Sequence, residues 1–207
     1  MTYEQFLEYA QIQAPELVEY DPSKIILFIW TKDGVRQFSR IAKSQVVFRD
    51  VTIGTESYGL PSNFLSLTGL YDPGRKGWLT PIQPISRDFN TGLPDHYFAD
   101  LQRKLVYLSP IPVASRSYKL VYTPLLGITN DDGSPIAISS TFPVHDAYWE
   151  ALVHYLRYRL LLVNSEAEGK WQVEMAQFRN GAQEASDDAF AATGPGVDSQ
   201  VQYRDID

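Results

Sequence analysis

Apolar and polar positions along the chain change period twice, and the two changes divide it into a helical start, a β-rich middle and a helical end. At the start, Tyr3, Phe6, Leu7 and Ala10 recur at helical spacing, so residues 2–14 are expected to form a helix. Thr2 followed by Gln5 reads as a capping box, in which hydroxyl and amide satisfy orphan backbone donors. Pro15 is expected to end or bend this helix. Asp21-Pro22 opens another, because Asp accepts amide hydrogen bonds and Pro fits a first turn without losing one. Residues 22–42 read two ways. "KIILFIW" is strand-like and "KDG" suits a hairpin turn, yet Ile26, Ile29, Trp30, Phe38 and Ile41 line one helical face, with Asp33-Gly34 as its weak point. The helical reading is preferred.

From Lys43 the pattern turns β-rich. "QVVFRDVTI", "SYGLPSNFLSLTGLY" and "GWLTPIQPISRDF" are broken by Gly and Pro, and the prolines of the last suit strand ends or edges. "KLVYLSPIP" and "SYKLVYTPLL" flank Val113-Ala114-Ser115-Arg116 as a strand pair. In the second strand Tyr118, Leu120 and Tyr122 alternate with Lys119, Val121 and Thr123, so one face can enter a core. "TNDDGSP" is a turn cluster. Helical spacing returns at Thr141, with Pro143 in the first turn and a stripe of Ala147, Tyr148, Ala151, Leu152, Tyr155, Arg159 and Leu162. Ser165 with Glu168 is a second capping box, ahead of a face made of Trp171, Met175, Phe178, Ala182 and Ala185. The expected fold class is α+β: N- and C-terminal helix pairs forming a bundle, with an inserted antiparallel β-rich domain. The divisions expected are 1–42, 43–140 and 141–192, followed by a polar, extended tail at 193–207.

Composition narrows the function classes. A formal charge of −7 argues against general gripping of nucleic-acid phosphates. Cysteine is absent, which removes disulfides, thiolate zinc sites and cysteine nucleophiles. "MTYEQFLEYA" is unlike a signal peptide, and the apolar runs "IILFIW" and "LLLV" are too short to span a bilayer. The expectation is a soluble protein made and used in a cytoplasm, without membrane contact. Tyrosine is abundant at 13 residues, which suits half-buried sheet faces and subunit interfaces alike.

Candidate chemistry is thin. His96 follows Asp95, His145 precedes Asp146 at a helix start, and His154 lies off the apolar stripe, where exposure is the default. His145 and Asp146 are more simply first-turn residues than catalysts. "NDDGS" (Asn130 to Ser134) resembles a calcium loop but lacks the alternating ligands and terminal Glu, so a plain turn is the better reading. No hydrolase, zincin, P-loop or dinucleotide motif occurs. No catalytic residue, metal ligand or cofactor is therefore assigned. The tail reads either as a disordered end or, through alternating Val201, Tyr203 and Ile206, as a strand that adds to a partner's sheet edge.

Four motifs in order carry a resemblance. They are Tyr58-Gly59-Leu60-Pro61-Ser62-Asn63-Phe64, Gly92-Leu93-Pro94-Asp95-His96-Tyr97, Leu108-Ser109-Pro110-Ile111-Pro112 leading to Tyr118, Leu120 and Tyr122, and a Pro-led helix pair from Pro143. With the N-terminal helices, over roughly residues 1–190, the chain resembles the head-to-tail adaptor (connector) proteins of tailed bacteriophages. "KIILFIWTKDG" departs from that family's usual helix through its Asp-Gly. The resemblance implies a virion structural protein of the neck, assembled in the host cytoplasm. It implies a homo-oligomeric ring, usually of twelve copies, docked on the portal with tail or neck proteins below and DNA passing through the lumen. It also implies C-terminal segments reaching into the portal, here Val201, Tyr203, Arg204 and Ile206, while Arg157 and Arg159 suit contacts between subunits. The Gly-Leu-Pro steps are expected to kink and restart edge strands. A tail-tube or neck completion ring, a virion cell-wall hydrolase and a stand-alone cellular binding module are the alternatives.

Overall fold

The computed structural model describes residues 1–43, 46–129, 134–164 and 169–193, and these form two compact units. One joins Met1–Ser44 to Leu125–Asp207 and is helical; the other, Gln45–Pro124, is β-rich. The helices are α1 (Tyr3–Gln13), α2 (Glu16–Tyr20), α3 (Ile25–Ala42), α4 (Trp149–Val163) and α5 (Lys170–Thr193). The strands are β1 (Val47–Ile53), β2 (Ser57–Gly59), β3 (Phe64–Asp72), β4 (Gly77–Trp78), β5 (Thr80–Pro81), β6 (Thr91–Gly92), β7 (His96–Asp100), β8 (Leu105–Ser109), β9 (Ile111–Pro112) and β10 (Arg116–Pro124). The fold is α+β, and its sheets are predominantly antiparallel.

The first helix starts as its capping box dictates. Thr2 N donates to Gln5 Oε1 at 2.9 Å, and Gln5 N donates to Thr2 Oγ1 at 3.3 Å. Two more orphan donors meet the returning chain, Tyr3 N to Ser140 O at 3.1 Å and Glu4 N to Ile138 O at 2.9 Å. Leu126, Ile136 and Ile138 pack against the helical core, so the stretch after Pro124 belongs with the helices and not with the strands. Tyr3, Phe6, Leu7 and Ala10 are fully buried. Phe6 stacks on Phe142 at 4.4 Å between ring centroids, and Trp149 meets Phe6 edge-on at 6.0 Å. Pro15 ends α1 and starts the short α2.

Residues 25–42 are one continuous helix. The Asp21 carboxylate holds its N-terminus, accepting from Ile26 N at 2.6 Å and Leu27 N at 3.0 Å, with Ser23 Oγ donating at 2.6 Å. Burial works to raise the Asp21 pKa, but the hydrogen bonds from Ser23, Leu27 and Ile26 outweigh it and hold the pKa below the usual carboxylate value. The buried face is rotated from the one expected. Leu27, Trp30, Thr31, Gly34, Val35 and Phe38 turn inward, while Ile26 and Ile29 are exposed. Asp33-Gly34 is the crossing point with α4 and not a weak spot: a Cβ on Gly34 would lie 2.7 Å from Tyr155 Cδ1. Across α4, a Cβ on Gly181 of α5 would lie 2.6 Å from Ala151 Cβ. Helix α4 begins at Trp149, later than the expected Pro143, after a 3-10 turn at Asp146–Tyr148 capped by His145. Trp149, Ala151, Leu152, Val153, Tyr155, Leu156 and Leu160 are buried, so α4 is apolar on most sides, as suits the centre of a bundle. Leu162, expected in its buried stripe, is exposed. Phe178, Ala182 and Ala185 of α5 are buried, with Met175 packed beside them.

In the β unit, one sheet has the order β1-β10-β3-β4 and another β2-β8-β7-β5, and both contribute to one core around Val51, Leu70, Val106, Leu108, Tyr118 and Leu120. The register sets Leu120 opposite Arg49 on one side and Leu70 on the other. The strand pair expected from "KLVYLSPIP" and "SYKLVYTPLL" does not form: β8 lies between β2 and β7, and β10 between β1 and β3. Pro110 lacks an amide donor and cannot continue the β8 ladder, so the chain leaves β8, pairs β9 briefly with β6 as far as Pro112, and enters the other sheet as β10. As an interior strand, β10 buries Val121 and Thr123 as well as Tyr118, Leu120 and Tyr122.

Both Gly-Leu-Pro steps change sheets. After β2, Leu60 N donates to Lys104 O at 2.8 Å, Leu60 and Pro61 are buried, and the chain restarts as β3 in the other sheet. After β6, Pro94 is buried and the chain restarts as β7. The restarted strands are interior, between β10 and β4 and between β8 and β5, and not the edge strands expected. Proline removes the donor that would extend the old ladder, and buried leucine or proline anchors the corner in the core.

Two outcomes test this packing. Gly34→Val should lower stability by about 2–3 kcal/mol through overpacking against Tyr155, whereas Gly59→Ala, whose added carbon meets nothing within 4 Å, should leave the urea midpoint unchanged. Asp21→Ala should cost about 0.5–2 kcal/mol at pH 7, the usual range for a lost helix cap. Because the folded-state pKa of Asp21 is lowered, its stabilisation is present above the unfolded carboxylate value and fades as pH falls through the folded value. Urea unfolding of wild type and variant should therefore differ at pH 7 and converge in acid.

Candidate interaction surfaces

Helix α4 carries both arginines expected at a subunit contact, and each has partners within the chain. Arg157 Nε donates to Glu16 Oε1 at 3.1 Å, and its Nη2 donates to Gln13 O at 2.7 Å, one of the orphan carbonyls at the end of α1. Arg159 Nη1 donates to Asp33 Oδ2 at 2.9 Å, and its guanidinium lies 5.5 Å from the Trp30 ring centroid. Tyr155 donates its hydroxyl to the same Asp33 carboxylate. Burial first, and the bond to Asp33 second, push the Tyr155 hydroxyl up to about 12, so it stays a proton donor at neutral pH. About a third of each arginine side chain remains exposed, at 30% and 34%. The tail residues Val201, Tyr203, Arg204 and Ile206 lie outside the described residues, as do Asn130 to Gly133 and the Ser165–Glu168 capping box.

Each histidine sits beside a carboxylate. His96 Nδ1 is 2.6 Å from Asp95, on exposed side chains. His145 Nδ1 is 2.9 Å from Asp146 and accepts from Ala147 N at 3.3 Å, the first-turn role that its position suggests. His154 is half-buried, contrary to the expected exposure, because α5 packs over it and places Glu174 2.6 Å from its Nδ1. Tyr148 of the turn before α4 donates to Asp188 of α5 at 2.7 Å, which raises its pKa. The last two pairs tie α5 to α4 and to the turn before it. Among the described residues no group of three or more His, Asp and Glu is arranged to hold a metal ion, and no helix is long and apolar enough to cross a membrane.

What periodicity misses is the apolar and charged relief of the surface. In the β unit, Arg87 is ion-paired to Glu56 at 2.6 Å and lies over the rings of Phe89 and Tyr107, with Phe98 stacked on Tyr107. This fastened loop presents Ile85, 91% exposed, and Phe89, 68% exposed. In the helical unit, Ile25 and Ile29 of α3 and Val173 of α5 stand exposed. Val173 borders a groove of about 400 Å³ shared with Arg157, Leu160, Leu161 and Lys170. The charge is divided as well. The helical unit has ten Lys and Arg against nineteen Asp and Glu, a net −9, and the β unit eight against six, a net +2. The "IILFIW" run contained a signal for the exposed isoleucines: it is apolar over more than one helical face, so one face had to remain uncovered.

No curated protein matches the chain. The family model for the SU10 adaptor protein matches residues 1–199, which takes in the whole β unit and all five helices. The surface is one of interhelical ties, exposed apolar side chains and segregated charge, and the chain belongs to the SU10 adaptor protein family, a family of bacteriophage adaptor proteins.

Proposed function

We propose that this protein is the head-to-tail adaptor of its virion: a ring-forming structural component of the neck that binds the portal, meets tail or neck proteins below, and leaves a lumen through which DNA passes. The observation that carries the reading is the family match over residues 1–199. On this reading the protein works by contact and not by catalysis, and needs no cofactor.

The physical features support a ring. Closed rings require two different patches on each copy, one meeting the other on the neighbour. The exposed fractions of Arg157 and Arg159 on α4 are available to such contacts, and the exposed Ile85 and Phe89 offer a further apolar one. The net −9 of the helical unit suits a wall along which DNA must slide, because carboxylates repel phosphates where a basic wall would retain them. Val201 and Tyr203, which share one face of an extended chain, and Arg204 and Ile206, which share the other, suit an extended segment that adds to a portal strand. We assign the copy number as twelve by the family resemblance alone.

Native mass spectrometry of the full chain, alone and mixed with the purified portal ring, tests the assignment. A fixed, symmetry-matched number of copies added to the portal is expected, and a portal mass that never changes would overturn it. Deleting residues 194–207 should lower portal occupancy while leaving the circular dichroism spectrum and melting temperature of the remaining chain intact. Full occupancy by the truncated chain would remove the tail from the docking role.

A further inference from the structure

Two helices of the helical unit carry outward stripes that match each other end to end. On α3, Ile25, Ile29, Arg36 and Arg40 follow one another at spacings of four and seven residues, which keeps them on one face, and Lys43 is the left-handed cap just past its end. Ile25 is 64% and Ile29 55% exposed; Arg40 and Lys43 are exposed, and Arg36 is half-buried. The stripe is apolar at its N-terminal end and basic at its C-terminal end. Among the described residues none of its cations has an ion-pair partner.

The outward face of α5 is built in the same order with the opposite charge. Val173, Ala176, Glu184 and Asp187 are all exposed and lie on one face, apolar first and acidic second. The spacings coincide. Ile25 to Arg36 and Ile29 to Arg40 are eleven residues apart, as are Val173 to Glu184 and Ala176 to Asp187. Eleven residues make three turns, or about 16 Å at 1.5 Å per residue, and return to nearly the same face. Of the α5 cations among the described residues, Lys170 lies one turn before Val173, away from the acidic end, and Arg179 lies about a third of a turn from Val173 at 100° per residue.

We propose that α3 of one copy packs its outer stripe against the α5 stripe of the next copy, the two helices running parallel, with isoleucine against Val173 and Ala176 and arginine against Glu184 and Asp187. This rests on the ring assembly proposed above and names the interface that builds it. The two patches differ, as a closed ring requires. The contact neutralises the free basic stripe of a unit whose remaining charge is strongly acidic, and it covers apolar side chains that water otherwise meets. An antiparallel pairing would set the isoleucines against the carboxylates, so the charge order selects the direction.

Charge reversal on the full-length chain tests this. Arg40→Glu with Lys43→Glu should raise the protein concentration needed to half-fill the portal ring by about tenfold or more, as should Glu184→Arg with Asp187→Arg, since close interfacial charge pairs commonly carry that much. All four substitutions in one chain should restore filling to within a few-fold of wild type, because each copy then meets a neighbour of reversed sign. Ile29→Gln with Val173→Gln, which leaves every charge in place, should weaken filling as well. Circular dichroism and melting temperature confirm that each variant is folded. Single-sided reversals that fill the portal like wild type, or a quadruple variant no better than either reversal, would overturn the interface while leaving the ring standing. A loss of duplex-DNA retention by the α3 reversal at unchanged copy number would place that stripe on DNA and overturn the proposal too. Wild-type protein that never loads onto the portal would instead overturn the adaptor reading, and the interface with it.

Discussion

Everything in the helical unit depends on how closely α3 and α5 approach α4. Glycine at 34 and 181 lets both neighbours come within contact distance of Tyr155 and Ala151, where any side chain would overlap. At the first crossing Asp33 accepts from Tyr155 and Arg159, and Arg159 in turn lies over Trp30. A carboxylate, a phenol and a guanidinium thus share one site at which each satisfies another, which removes the cost of leaving any of them unpaired between helices. The approach fixes which face of α3 turns inward, and so also which face is left outside. The exposed isoleucines are a consequence of that rotation.

The β unit rests on a different constraint, the need to form two sheets from a chain of short strands. Prolines at 61, 94, 110 and 112 each stop a ladder by removing a donor. All four stops lie at corners where the chain passes from one set of strands to another. The recurrence of Gly-Leu-Pro is therefore a topological device. It lets two sheets contribute to one core without long connections, and it restarts the chain as strands β3 and β7 in sheet interiors.

Charge and burial together distinguish the two units. A molecule of net charge −7 conceals a helical unit of −9 and a β unit of +2. Within the acidic unit Arg157 and Arg159 make interhelical ties, whereas Arg36 and Arg40 of α3 share its outer face. Arg157 and Arg159 hold the bundle with part of each side chain and keep about a third exposed, whereas Arg36 and Arg40 have no ion-pair partner among the described residues. Such a division suits the ring contact proposed above, which has to leave the bundle's own bonds intact.

Local chemistry determined a good deal from the sequence alone. The Thr2–Gln5 capping box, the apolar spacing of α1 and α5, the β-rich middle and the stops at Gly-Leu-Pro are decided within a few residues, by hydrogen bonds and periodicities that need no distant partner. The order of motifs was also sufficient to place the chain near phage adaptors, as the match over residues 1–199 bears out. Tertiary structure decided the rest. Asp33-Gly34 looked like a flaw in a helix until Tyr155 was packed against it, and "IILFIW" could not say which of its apolar faces would be covered. The strands β8 and β10 looked like a hairpin because they are neighbours in sequence, yet proline-blocked ladders and a shared core sent them to different sheets. Periodicity reports which side chains can share a face. Which face is buried, and which strand lies alongside, depends on surfaces that only the folded chain brings together.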